Sequence, residues 1–113
     1  MSIEDATYVS FDLETTGFSV IHDGITEFGA VKIKNGEVID RLQSFVNPGK
    51  KIGTRVSQLT NITNEMVADA PTIKEFLPQI LEFFGDAILV AHNAKFDIGF
   101  LNESLKEVKI KNL

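Results

Sequence analysis

Asn35-Gly36 sits between two runs of strand-forming residues, and no other dipeptide narrows the folding options of this chain as sharply. A two-residue turn of this type needs positive φ at its central positions, which Asn and Gly tolerate, and its twist matches that of the strands it joins. Ile25–Lys34, rich in Ile, Val and Phe, therefore reads as a strand that returns antiparallel as Glu37–Val46. Asp40, Arg41 and Gln43 suit an edge position for the returning strand.

Upstream, Tyr8–Gly17 reads as a strand ending in a Thr-Thr-Gly turn. Side chains alternate along a strand, so Val9, Phe11 and Leu13 share one face while Ser10, Asp12 and Glu14 share the other. The backbones of Asp12 and Glu14 are then roughly 6.6 Å apart, close enough for both carboxylates to converge on one cation beyond the strand end. Without a cation the arrangement is costly, because unit charges 4 Å apart repel by about 4 kcal/mol at an effective dielectric near 20. Acids also occur on half-exposed edge strands. This stretch alone leaves both readings open. The loop that follows carries His22, which reads as a surface residue.

Asn47-Pro48-Gly49 ends the run of strands. Thr54 and Thr63 are expected to cap short helices over 55–59 and 64–68. Thr72 and Glu75 form a capping box for a longer helix, whose apolar stripe is Ile73, Phe76, Leu77, Ile80, Leu81 and Phe84 and whose stop is Gly85. Pro78 should bend that helix. Ala87–Ala91 is a continuous apolar run, expected to be a central strand covered on both faces and parallel to the first. A last helix is expected from Asn93 to about Val108, with Phe96, Phe100, Leu101, Leu105 and Val108 inward. The order β-β-β-α-β-α predicts an α/β fold, a mixed sheet with helices on its faces.

The chain has 113 residues, which bounds it to one domain. It carries no cysteine, so thiolate metal sites, disulfides and a Cys nucleophile are excluded together. No apolar run approaches the length of a membrane span and the first residues lack a signal pattern, so a cytoplasmic protein is expected. A net charge of −5 argues against a broad basic surface for nucleic acid. It leaves room for a site where metal ions held by acids grip a few phosphates.

His92-Asn93-Ala94-Lys95-Phe96-Asp97 joins the apolar strand to the last helix, and Asp97 falls in the first helical turn. An acid there gains up to about 1 kcal/mol from the helix dipole. That gain does not explain why the strand bearing Asp12 and Glu14 and the strand feeding Asp97 should both end at one edge of the sheet, where α/β folds place ligands. Asp-Leu-Glu-Thr-Thr-Gly at 12–17 followed by His-Asn-Ala-Lys-Phe-Asp at 92–97 resembles the first two motifs of the DnaQ-like (DEDDh) 3′–5′ exonucleases. The lead-in Glu4–Val9 and the stretch Leu59–Val67 are most similar to the exonuclease domain of PolC-type DNA polymerase III alpha chains.

The resemblance implies a ribonuclease-H-like fold and an enzyme that hydrolyses the terminal phosphodiester of single-stranded DNA, proofreading for a polymerase domain of the same parent chain. It implies Asp12, Glu14 and Asp97 as catalytic ligands of two Mg²⁺ or Mn²⁺ ions, with Asp12 bridging, Glu14 on one ion and Asp97 on the other. The implied substrate contacts are the main chain near Thr15 and Thr16 for the 3′-OH and Phe18 or Phe96 for the last base, with His92 and Asn93 orienting the site. A nuclease of the same family acting on RNA ends, or a non-catalytic docking fragment of a replication protein, are the alternatives.

The family's third motif, a further His followed five residues later by an Asp, is absent: the one such pair in these 113 residues, His92 and Asp97, belongs to the second motif. In that family the third motif supplies the general base and the fourth ligand. Residues 1–113 are thus expected to be the N-terminal part of one exonuclease domain, truncated before its last strand and helix and nearly inert alone. An unpaired edge on Ala87–Ala91 would then offer a route to a dimer.

Overall fold

The computed structural model of the protein describes residues 6–91 and 94–107. His92 and Asn93, the side chains of Ala94, Lys95 and 105–107, and residues 108–113 lie outside the described set. The expectations attached to His92, Asn93, Leu105 and Val108 lie there with them.

Strand β1 (Thr7–Thr15) has the alternation its sequence requires: Val9, Phe11 and Leu13 are buried while Ser10 and Asp12 are exposed. β2 (Ile25–Lys34) pairs antiparallel with β1, Phe11 opposite Ala30 and Glu14 opposite Glu27. Asn35 and Gly36 take φ of 54° and 77°, the left-handed geometry that the hairpin demands. β3 (Glu37–Phe45) returns antiparallel along β2 and is exposed over most of its length, as its polar residues anticipate.

Helix α1 (Thr54–Thr60) has Gly53 as its N-cap with no side-chain cap bond, so Thr54 is its first residue rather than the expected cap. Helix α2 (Asn64–Ala68) is capped by Thr63, whose hydroxyl accepts from the Met66 amide. In α3 (Ile73–Phe84) the expected capping box is formed: the Glu75 amide donates to Thr72 Oγ1, and the Thr72 amide donates to Glu75 Oε1 at 2.9 Å. α3 continues through Pro78 and buries Phe76, Leu77, Ile80, Phe83 and Phe84.

After α3 comes β4 (Ile88–Ala91), which runs parallel to β1 with Phe11 opposite Ala91. The sheet order is β3-β2-β1-β4. β4 was expected to be covered on both faces and central in the whole domain, with an unpaired edge in these residues; among the described residues it is the outer strand, and its second face is bare, with Ile88 and Val90 50% and 47% exposed. Leu89 and Ala91 face the core instead. An all-apolar run does not distinguish a strand covered on both faces from one with a bare second face, so the pattern carried no sign of this.

The core lies on the face of Val9, Phe11 and Leu13, against α3 and the last helix, α4 (Ala94–Glu107). Phe11 meets Phe84 at 5.2 Å between ring centroids, and Phe28 meets Phe76 and Phe84 at 5.9 and 6.1 Å. Phe100 and Leu101 seat α4 on the same core. The opposite face, carrying Ser10, Asp12 and Glu14, remains open among the described residues. A trough of about 620 Å³ runs along it from Asp12 past Gly29 to Arg41 and Gln43. Among the described residues, no helix is long and apolar enough to cross a membrane.

Candidate active site

Parallel pairing brings the carboxyl ends of β1 and β4 to one edge of the sheet. Asp12 and Glu14 project from the open face of β1, Asp12 exposed and Glu14 half-buried. Asp97 enters from the first turn of α4 and is 1% exposed. A carboxylate buried that deeply requires compensation, and the first turn of a helix supplies part of it.

The acids share one field. Burial pushes the Glu14 carboxyl above its ordinary value, and the charges of Asp12, Glu27 and Asp97 push it further the same way. Glu27 is the member that the sequence pattern missed. It stands directly opposite Glu14 across the β1–β2 pair and accepts a hydrogen bond from Gln43 Nε2 at 2.8 Å. Like charges facing each other across a sheet are destabilising. The hairpin turn fixes β2 against β3, but the β1–β2 register depends on the long loop between them, so no local signal pointed to Glu27.

No group of three or more His, Cys, Asp or Glu side chains among the described residues stands close enough to hold a metal ion. Uncompensated carboxylates repel, which favours their standing apart. The donor set nevertheless fits a hard divalent cation: every group is an oxygen acid, one is wholly buried, and their charges raise Glu14.

The remaining expected site residues divide clearly. Thr15 Oγ1 donates to the Gly17 carbonyl at 2.6 Å, closing the turn after β1. Thr16 is a fastener of the loop: its amide donates to the Gly24 carbonyl, and its hydroxyl donates to Asp23 Oδ1 at 2.9 Å and accepts from the Gly24 amide. The Thr16 amide is thus already used inside the protein. Phe18 is 90% exposed, and its ring stands edge-on to Phe96 at 6.1 Å. Phe96 is half-buried, packing on Phe100 at 4.9 Å. His22 is exposed and its amide donates to Ser19 Oγ, as befits a surface loop.

Residues 9–113 match the sequence profile of the RNase T exonuclease family. The chain belongs to that family. This exonuclease chain is 47% identical over 106 residues to the PolC-type DNA polymerase III of Bacillus subtilis (strain 168), a match covering 94% of the chain and 7% of that polypeptide. It is 50% identical over 104 residues to the PolC-type DNA polymerase III of Clostridium perfringens (strain 13), covering 92% of the chain and again 7% of the relative. Exonuclease I in its apo form shares the fold, with a TM-score of 0.86 at 17% identity over 96% of this chain and 26% of its own. Exonuclease X in complex with 5′ overhanging duplex DNA superposes with a TM-score of 0.72 at 32% identity, over 83% of this chain and 53% of its own.

Proposed function

We propose that this chain supplies the first two motifs of a 3′–5′ exonuclease that removes terminal nucleotides from single-stranded DNA as the proofreading activity of a PolC-type polymerase. The observation that carries the reading is the juxtaposition of Asp97 on α4 with Asp12 and Glu14 on β1, at the edge of the sheet where β1 and β4 both end. High identity to PolC-type polymerases and a DNA-bound solved relative favour DNA over RNA as the substrate. Those relatives support a polymerase domain in the same parent chain and, with it, a cytoplasmic setting. They lend no support to pairing of two copies along β4.

Asp12, Glu14 and Asp97 would hold two Mg²⁺ or Mn²⁺ ions. Bound there, the ions supply Lewis-acid polarisation of the phosphoryl oxygens and lower the pKa of a bound water. The chain's own residues do the positioning. Phe18, exposed at the mouth of the site and braced by Phe96, offers a face to the last base. Thr15 fixes the turn that ends β1, and the orienting role given to His92 and Asn93 by the motif falls on residues outside the described set. In the overall hydrolysis the oxygen of water becomes bonded to phosphorus, and the 3′ oxygen of the shortened strand leaves with a proton.

The test places residues 1–113 in the B. subtilis polymerase in place of its matched segment and follows a 5′-labelled single strand, with free or blocked 3′ end, on a gel. The chimera is expected to shorten only the free strand, and Asp12→Asn to slow it at least about a hundredfold while nucleotide incorporation is unchanged. A chimera that incorporates nucleotides but shortens DNA no faster than its Asp12→Asn form would overturn the reading.

A further inference from the structure

Asp23 lies outside both acidic motifs, yet its carboxylate accepts three hydrogen bonds that tie the loop 17–24 to Thr16 and Lys50 on either side of it. Oδ1 accepts from the Thr16 hydroxyl at 2.9 Å and from Lys50 Nζ at 3.3 Å, and Oδ2 accepts from the Ser19 amide at 3.0 Å. The Asp23 amide in turn donates to the Ser19 carbonyl, and Lys50 Nζ also reaches the His22 carbonyl at 3.2 Å. Gly17 makes room for this: a Cβ on it would stand 2.4 Å from Asp23 Oδ2. The third residue of the Thr-Thr-Gly turn is thus explained by the carboxylate packed against it.

What this knot holds is the loop's grip on α4. Phe18 leans on Phe96, the residue before Asp97, and Val20 packs on Gly99, the second residue after it, where a Cβ would come within 3.3 Å of Val20 Cγ1. The loop therefore touches α4 on both sides of the buried acid. A ring that is 90% exposed has little packing of its own to keep it in place, so its orientation must come from the backbone beneath it.

We propose that Asp23 is a positioning residue: by tying Thr16, Ser19 and Lys50 together it presents Phe18 at the mouth of the site and steadies the first turns of α4 that carry Asp97. This inference rests on the exonuclease reading for its kinetic arm and is independent of it for its structural arm.

The chain has no tryptophan, so Phe18→Trp is a single reporter. In the 113-residue protein its fluorescence anisotropy should be that of a held side chain, and adding Asp23→Ala or Gly17→Ala should lower it to that of a mobile loop while the far-ultraviolet circular dichroism is kept. In the polymerase chimera, Asp23→Ala should raise KM for single-stranded DNA about tenfold, the loss expected of one stacked base, with kcat changed much less. Added to Phe18→Ala, it should raise KM little further, because both remove the same contact. Asp23→Asn keeps an acceptor for Ser19 and should recover part of the loss. Unchanged anisotropy, or an Asp23→Ala effect that falls on kcat or adds in full to Phe18→Ala, overturns the proposal. An inactive chimera with the anisotropy change intact would instead sink the exonuclease reading and leave the positioning role standing.

Discussion

Phe11 stands opposite Ala91 in the parallel pair of β1 and β4, and this register determines where the acids meet. Both strands run the same way, so the chain leaves β4 for α4 alongside Asp12. Asp97, in the first turn of α4, thereby comes within the field of Glu14. A shift of one residue in this pairing would turn Leu89 and Ala91 from the core face to the open face.

Like charge around Glu14 makes the metal-free site a weak point. In chelator, Glu14→Gln should raise stability on the order of half a kcal/mol, a figure kept small because the group is partly solvated and screened. Thermal melts would register a rise of a few degrees. A clear fall would assign Glu14 a structural role in place of a repulsive one.

Acid should act on the metal-free protein in two opposed ways. Asp23 is held below its ordinary 3.8, first by the Ser19 amide and then by Thr16 and Lys50, and Glu75 is held below 4.5 by Thr72. A depressed acid stabilises the fold fully above its unfolded pKa, and that contribution is lost as pH falls through the folded value. Glu14 is raised, so it penalises the fold above its folded pKa, and the penalty lifts as pH falls toward 4.5. Urea denaturation in chelator should therefore show stability flat or rising slightly on approach to 4.5, then falling as Glu75 below 4.5 and Asp23 below 3.8 lose their contributions. Glu14→Gln should remove the first trend and keep the second, whereas Asp23→Asn should weaken the second.

The start of α3 depends on its reciprocal cap. Thr72→Ala removes the acceptor of the Glu75 amide, which should cost about 1 kcal/mol and lower Tm by roughly 4–8 °C. Phe28→Ala, at a site in contact with Phe11, Phe76 and Phe84, should cost about 3–5 kcal/mol. If Thr72→Ala melts with the unchanged protein, the cap contributes nothing measurable.

Residues 1–113 alone lack the His and Asp of the third motif. A positioned base typically contributes 10² to 10⁴ in rate, so with Mg²⁺ or Mn²⁺ the isolated chain should shorten single-stranded DNA at least about a hundredfold more slowly than the polymerase chimera. A rate within tenfold of the chimera would place the base inside these residues and make His22 the first to substitute.

Much of this arrangement was legible in the sequence, and what was not has a physical reason. Alternation over Val9–Glu14 told which face carries the acids, Asn35-Gly36 fixed the hairpin, and Thr72 with Glu75 marked the start of α3. These are local signals, each decided by a few neighbouring residues. Three features were beyond such signals. The bare face of β4 depends on what packs against it, the Glu14–Glu27 pairing depends on a register set across a long loop, and Asp23 gains its role only when Gly17 lets it close on Thr16.

Mn²⁺ binding to the 113-residue protein, followed by electron paramagnetic resonance, tests most directly whether the three acids form one metal site. Saturable binding that raises Tm is expected, at least about tenfold weaker in each of Asp12→Asn and Asp97→Asn, since each removes a ligand of the same ions. The two substitutions together should cost much less than the product of their separate effects. Equal affinity in the unchanged protein and in Asp97→Asn, or no binding that Asp12→Asn abolishes, would contradict a single site.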